Sequence, residues 1–244
     1  MEASAFSALI PHIFEENGLG ALCTDDCIRK LSVLGESLLA VNATTNLTAI
    51  EDPREIVVKH FADSLLAHHA FPQGAKVLDV GCGGGFPCLP LAAARPDLRI
   101  TALDSTAKKL ACVLDFSQNM EIQGFQTLCG RAEDLAKPGE GYRERFDVVC
   151  ARAVARLPIL AELCLPFARV GGLFIAMKGG QGQEELQESA HAIPILGAKR
   201  KETLSYSLKG CENLQEREIF VFQKTTPTPK IYPRPFTQIK KKPL

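Results

Sequence analysis

Lys76-Val77-Leu78-Asp79-Val80-Gly81-Cys82-Gly83-Gly84-Gly85-Phe86-Pro87 is the stretch that decides the reading of this chain. A short apolar run ends in an acid, then a glycine-dense turn. The apolar segment Cys88 to Ala94 follows, with proline placed for a first helical turn. Strand, glycine turn and helix in that order build a nucleotide pocket. Glycines admit positive φ and close approach of a ligand, and a helix start is expected to present free N–H groups.

The spacing narrows the ligand. Dinucleotide enzymes favour Gly-x-Gly-x-x-Gly with pyrophosphate on the helix start. Here Gly81, Gly83 and Gly85 alternate, and Phe86 stands where the third dinucleotide glycine would fall. Asp79-x-Gly81-x-Gly83-x-Gly85 instead resembles the first motif of the class I S-adenosylmethionine methyltransferases, whose ligand carries no pyrophosphate. Such folds place a ribose-binding acid at the end of the second strand, about 20 residues on. Asp104, closing Leu98 to Asp104, supplies it, and the same residue could cap the next helix.

At 244 residues the chain has room for one large α/β domain, and 46% apolar content supports a real core. Lys plus Arg equals Asp plus Glu at 28 each, so global charge announces no nucleic-acid partner. Charge distribution says more. Lys224, Lys230, Arg234, Lys240, Lys241 and Lys242 close the chain without one acid between them. The nine cysteines are dispersed, and neither Cys23/Cys27 nor Cys82/Cys88 has a second pair at zinc spacing, so no metal is expected. Free thiols, no signal region and no apolar run of the ~18 residues a membrane span needs make the expectation a cytoplasmic monomer.

Three regions are expected: an N-terminal helical extension over 1–72, a core over 73–225, and a basic, proline-rich tail over 226–244. In the first, Leu31, Leu34, Leu38 and Val41 form a helical stripe that Thr24 or Asp25 could cap. Asn42 to Thr48 reads as a polar break. Asp52-Pro53 then starts a second helix carrying Lys59, His60 and Asp63 on one face, the plain reading being a Lys59/Asp63 surface pair. From Lys76 strands alternate with helices: Leu98–Asp104, Phe125–Cys129, Phe146–Arg152, Leu173–Lys178, Glu202–Leu208 and Arg217–Lys224. The fold class is α/β, a mostly parallel seven-stranded Rossmann-like sheet with helices on both faces. Ligands sit beyond the carboxyl ends of such strands. That rule gathers Gly81 to Phe86, Asp104, a loop with Ala132-Glu133, Arg152 and Lys178 into one crevice.

Separated blocks then carry a family likeness. They are Asn46-Leu47-Thr48-Ala49-Ile50 with Asp52-Pro53, Lys59-His60-Phe61 with Asp63-Ser64-Leu65, and Asp79 through Pro87. Leu103-Asp104-Ser105, Gly130-Arg131-Ala132-Glu133, Arg152-Ala153-Val154-Ala155, Met177-Lys178-Gly179 and Tyr232-Pro233-Arg234 follow. Together they resemble the bacterial small-subunit ribosomal RNA guanine-N7 methyltransferases, the RsmG or GidB family. Cys82 departs from that pattern, standing where Ser or Thr is usual.

The resemblance implies S-adenosylmethionine as cofactor and N7 of one guanosine in the 530 loop of 16S rRNA as acceptor. It implies cofactor contacts at Gly81, Phe86, Ala132, Glu133 and Arg152, with Asp104 on the ribose and Asp79 and Gly83 completing the motif. On the substrate side it points to Asn46, His60, Asp63, Arg152 and Lys178. Guanine N7 has a lone pair and no proton, so these residues would position rather than act as a base. An Asn/Asp-Pro-Pro-aromatic run is correspondingly missing after the fourth strand, and Cys150, inside an apolar strand, is expected to be inert. The tail cations Lys230, Arg234, Lys240, Lys241 and Lys242 are either solvated or phosphate contacts on the small ribosomal subunit. Two other readings stay open at this point: a non-catalytic ribosome- or RNA-associated protein on the same fold, and a nicotinamide-dependent oxidoreductase.

Overall fold

The computed structural model describes residues 5–45, 47–210 and 215–244. Helices α1 (Ala5–Glu16) and α2 (Asp25–Thr45) open the chain. Then come α3 (Pro53–Ile56), a π-helical stretch (Val57–Ala62) and α4 (Asp63–Leu65), continuous with one another. The remainder alternates as β1 (Lys76–Val80), α5 (Cys88–Ala94), β2 (Arg99–Asp104), α6 (Ala107–Asn119), β3 (Gln126–Cys129), α7 (Ala132–Leu135) and β4 (Phe146–Arg152). After it run α8 (Leu157–Cys164), β5 (Ala168–Lys178), α9 (Gly182–Glu188), α10 (Ala192–Ile195), β6 (Ala198–Leu208), β7 (Gln215–Lys224) and α11 (Phe236–Lys241).

The seven strands form one sheet in the order β3-β2-β1-β4-β5-β7-β6. The first five are parallel, and β7 inserts antiparallel between β5 and β6. The central strands are apolar on both faces because both are covered: Val77 packs toward one layer, Leu78 and Val80 toward the other. Phe6, Ile10 and Phe14 of α1, Leu31, Leu34 and Leu38 of α2, and Phe61 join the first layer, so the N-terminal helices share its core. Leu160, Leu163 and Ile239 belong to the second. Val80 lies opposite Leu103, Arg152 opposite Met177 and Lys178 opposite Glu218, which brings the functional strand ends to one rim.

Three local expectations change. Helix α2 continues through Asn42 to Thr45, past the start of the expected polar break, because Asn42 is buried and its amide is used. Ala132 and Glu133 open a short helix rather than sit in a loop. Lys59 bonds Glu55 at 2.6 Å, not Asp63. The π-helical turn between them adds a residue and rotates Asp63 off that face. Capping follows the sequence: the Thr24 hydroxyl accepts from Cys27 N–H, and the Asp52 carboxylate from Glu55 N–H. Among the described residues, no helix is long and apolar enough to cross a membrane.

The segment after β7 is fastened to the core at three points. Arg143 donates to the carbonyls of Ala136, Thr228 and Tyr232 at 2.7–2.9 Å. Lys224, fully buried, donates to Leu165 O and Thr228 Oγ1, and burial lowers its pKa to about 8. Arg234 grips the fully buried Glu162 with its main chain and its guanidinium, the shortest contact being 2.6 Å. Arg234 therefore faces inward, unlike the other four tail cations named above, which are exposed. Removing it strands a charge in an apolar layer. Arg234→Ala is expected to lower the urea-unfolding free energy by about 3–5 kcal/mol, and Glu162→Gln in that background to recover part of the loss.

Candidate functional site

The glycine turn is hooked onto the end of β2. Gly81 N–H and Cys82 N–H both donate to Leu103 O, at 2.7 and 3.0 Å. Gly81, Gly83 and Gly85 take φ of +73°, +55° and +97°, which explains their alternation. Gly83 N–H donates to one carboxylate oxygen of Asp104 at 3.1 Å, and Thr106 N–H to the other at 2.8 Å. Gly130 N–H donates to Asp104 O, which seats Ala132-Glu133 beside that acid. A Cβ added to Gly83 would meet nothing nearer than Gly81 O at 4.0 Å, so the turn is open above it. Val154 overhangs Gly81, 2.7 Å from where a Cβ would stand.

Two expectations about this corner are corrected. The start of α5 has no free N–H groups. Gly85 and Phe86 N–H donate to Cys82 O, Cys88 N–H to Asp79, and Leu89 N–H to Gly85 O, while Pro87 has none. Asp79 is fully buried beneath the turn, so it props the turn and has no open face for a ligand. Its Oδ2 accepts Cys88 N–H at 3.2 Å, its Oδ1 has no partner, and burial raises its carboxyl to about 7.

Beside the turn lies a charged cluster. Asp63 accepts Arg152 on one oxygen and Arg217 on the other, both at 2.7 Å. Arg152 also donates to Lys59 O at 2.8 Å and, from Nη2, to His60 Nδ1 at 3.5 Å, while its Nε is buried without a partner. With Nδ1 accepting, the ring hydrogen is on Nε2, which donates to Thr48 Oγ1 at 2.8 Å. Asn42 sets that hydroxyl, since its amide bonds both N–H and C=O of Thr48 at 2.9 Å. The His60 ring stacks on Phe86, centroids 4.4 Å apart. Burial first, then the Arg152 charge, lower the His60 pKa to about 4.

A cavity of about 360 Å³ opens between Asp63, Arg152, Lys178, Gln181, Glu185 and Arg217. Lys178 Nζ donates to Ala155 O at 2.8 Å and is ion-paired with Glu185 Oε2 at 2.7 Å, and Glu185 Oε2 accepts Leu157 N–H at 2.7 Å. These bonds hold the loop after β4, where Ala153 sits at φ +56°, a strained value for a residue with a Cβ.

The structure thus brings Asp63, Arg152 and Lys178 to one cavity beside Gly81, Gly83, Phe86 and Asp104, while His60 stands behind it, against Arg152 and Phe86. Asn46 lies outside the described residues. Arg217, Glu185, Thr48 and Asn42 were missed. Arg217 and Glu185 lay in an ordinary strand and a polar helix, and only the antiparallel insertion of β7 carries Arg217 to the rim. Burial pushes the Cys150 thiol well above its ordinary value, in keeping with an inert residue. No group of three metal-ligating side chains occurs among the described residues.

Sheet order, glycine turn and acid after β2 define a class I methyltransferase fold. An O-methyltransferase from Bacillus cereus, solved in complex with SAH, superposes with a TM-score of 0.57 at 19% identity, covering 89% of this chain and 98% of that one. TrmN from Thermus thermophilus gives 0.51 at 16% identity, covering 69% and 53%. Within that class the chain belongs to the GidB family, rRNA small subunit methyltransferase G, which matches residues 27–217. A ribosomal RNA small subunit methyltransferase G from Desulfitobacterium hafniense (strain Y51) is 42% identical over 219 residues, 90% of each chain. The protein of the same name from Bacillus cereus (strain B4264) is 40% identical over 209 residues, 85% of this chain and 86% of that one.

Because the His60 pKa is lowered below its unfolded value, its neutral form stabilises the fold. That contribution is complete above about pH 6.5 and shrinks as pH falls toward 4, by roughly 3 kcal/mol in all. Ring-nitrogen NMR should show a neutral Nε2–H tautomer at pH 6 and a midpoint near 4; a midpoint above 6 would contradict the stacked, arginine-facing ring.

Proposed function

We propose that this chain transfers the methyl group of S-adenosylmethionine to N7 of a guanosine in the 530 loop of 16S rRNA. One observation carries the reading. The open glycine cradle adjoins a cavity lined by guanidinium and ammonium groups, where both acids, Asp63 and Glu185, are ion-paired with those cations, and His60 stands behind Arg152. His60 is neutral and bonded at both nitrogens, and each oxygen of Asp63 holds an arginine. Such a site suits an acceptor atom that has no proton to lose.

The residues fit the donor. The space above Gly83, the half-buried Asp104 and the neighbouring Ala132-Glu133 suit an adenosine. When bound, this cofactor supplies an electrophilic methyl on a sulfonium. The protein's task is then alignment, which can contribute roughly 7–11 kcal/mol. Arg152, fixed by Lys59 O, Asp63 and His60, orients groups at the end of β4. Val154 and Phe86 wall the cradle against water. Lys178 fixes the loop between the two pockets, and Arg152, Arg217 and Lys178 oppose a polyanion. A pyrophosphate cofactor is disfavoured because the N–H groups at the start of α5 are already bonded.

Tritiated methyl transfer to small-subunit rRNA from cells lacking the enzyme, with mapping of the labelled base, tests the proposal directly. Label on a base other than guanine, or no transfer, would overturn it. Arg152→Lys keeps the charge and loses the fork, so transfer is expected to fall about 100-fold with donor binding measured alongside by calorimetry. Replacing Lys240, Lys241 and Lys242 by Gln is expected to flatten the slope of log K against log salt by about 2, at roughly 0.7 per phosphate contact. An unchanged slope would assign these three lysines to solvent.

A further inference from the structure

We infer that Glu185 reads the Watson–Crick edge of the acceptor guanine and, with Lys178, distinguishes it from adenine. This rests on the function proposed above. Two carboxylates line the 360 Å³ cavity, Asp63 and Glu185. Both oxygens of Asp63 are taken by arginines. Glu185 differs: Oε2 receives Lys178 and Leu157 N–H, while Oε1 has no bond among the described residues. Its side chain is 10% exposed and lines the cavity. A mostly desolvated carboxylate oxygen presented to a cavity demands donors, and its bonds there are strong.

The order of elements matches the order of groups around guanine. Moving outward from the glycine cradle, the rim presents the loop after β4 with Val154 over Gly81, then Lys178 at the end of β5, then Glu185 on α9. Around guanine the sequence is N7, then O6, then N1–H with the N2 amino group: two acceptors, then donors. With N7 toward the cradle, O6 meets an N–H of Lys178 not spent on Ala155 O, and the donors meet Glu185 Oε1. Adenine offers an amino donor to Lys178 and an acceptor N1 to the carboxylate. Both contacts become repulsive, which is discrimination by unpaired buried groups as well as by attraction. Lys178 thereby has two tasks. It anchors the strained loop through Ala155 O, and it holds Glu185 so that one oxygen stays free.

Small subunits reconstituted with rRNA carrying either guanosine or inosine at the methylated position provide the test, since inosine keeps N7, O6 and N1–H but lacks the N2 amino group. The wild-type chain is expected to favour guanosine by about 10-fold or more in kcat/KM, the value of one charge-assisted hydrogen bond. In Glu185→Gln, guanosine methylation should fall about 30- to 100-fold, inosine methylation less, and the ratio should collapse toward one. A residue that merely braces the loop would lower both substrates together and leave the ratio intact, and that result overturns the inference. So does a wild type that methylates both equally, a measurement independent of how the variant folds. If the wild type methylates neither, the proposed function itself fails; a wild type active on guanosine with the ratio unmoved by Glu185→Gln refutes the reading of Glu185 alone.

Discussion

A single carboxylate shared by two guanidinium groups holds this site together. Asp63 comes from the N-terminal helical layer, Arg152 from the end of β4 and Arg217 from the antiparallel β7. Three parts of the chain far apart in sequence meet at one side chain that is only 10% exposed. Two cations share this one anion, one on each oxygen. Desolvating those charges is costly, and losing one partner at such a position leaves an uncompensated charge. Geometry at the rim therefore depends on the three being present together.

Around that unit the polar groups close in a chain. Asn42 fixes Thr48, Thr48 accepts from His60, His60 lies on Phe86 and accepts from Arg152. Each link uses up a donor or an acceptor, and the histidine is left neutral. The result is rigid and catalytically quiet in the acid–base sense. Its function is to hold shape beside the glycine turn, which agrees with a reaction whose nucleophile is already deprotonated.

Much of this was legible in the sequence, for identifiable reasons. Gly81, Gly83 and Gly85 alternate because three left-handed positions require it, and Asp104 closes an apolar strand in register with them. Strands covered on both faces announced themselves as continuous apolar runs. What sequence could not give was side-chain pairing across elements. Lys59 and Asp63 stand four apart, yet a π-helical turn separates them and each takes another partner. Glu185 sits in a helix of ordinary polar composition, and its burial depends on where α9 lands. Arg234 looked like one cation among several in a basic tail, because nothing in the local pattern shows that Glu162 of α8 is fully buried opposite it.

The π-helical stretch Val57–Ala62 constrains the length of this segment. One residue in an α-helix corresponds to about 100° of rotation. If a single-residue deletion let this stretch relax to ordinary winding, His60 would turn away from Phe86 while Asp63 stayed with its arginines. The inserted residue thus behaves as a phase shifter between the ring that backs the glycine turn and the carboxylate that anchors the rim. Conservative side-chain changes in Val57–Ala62 should be far better tolerated than any change in its length.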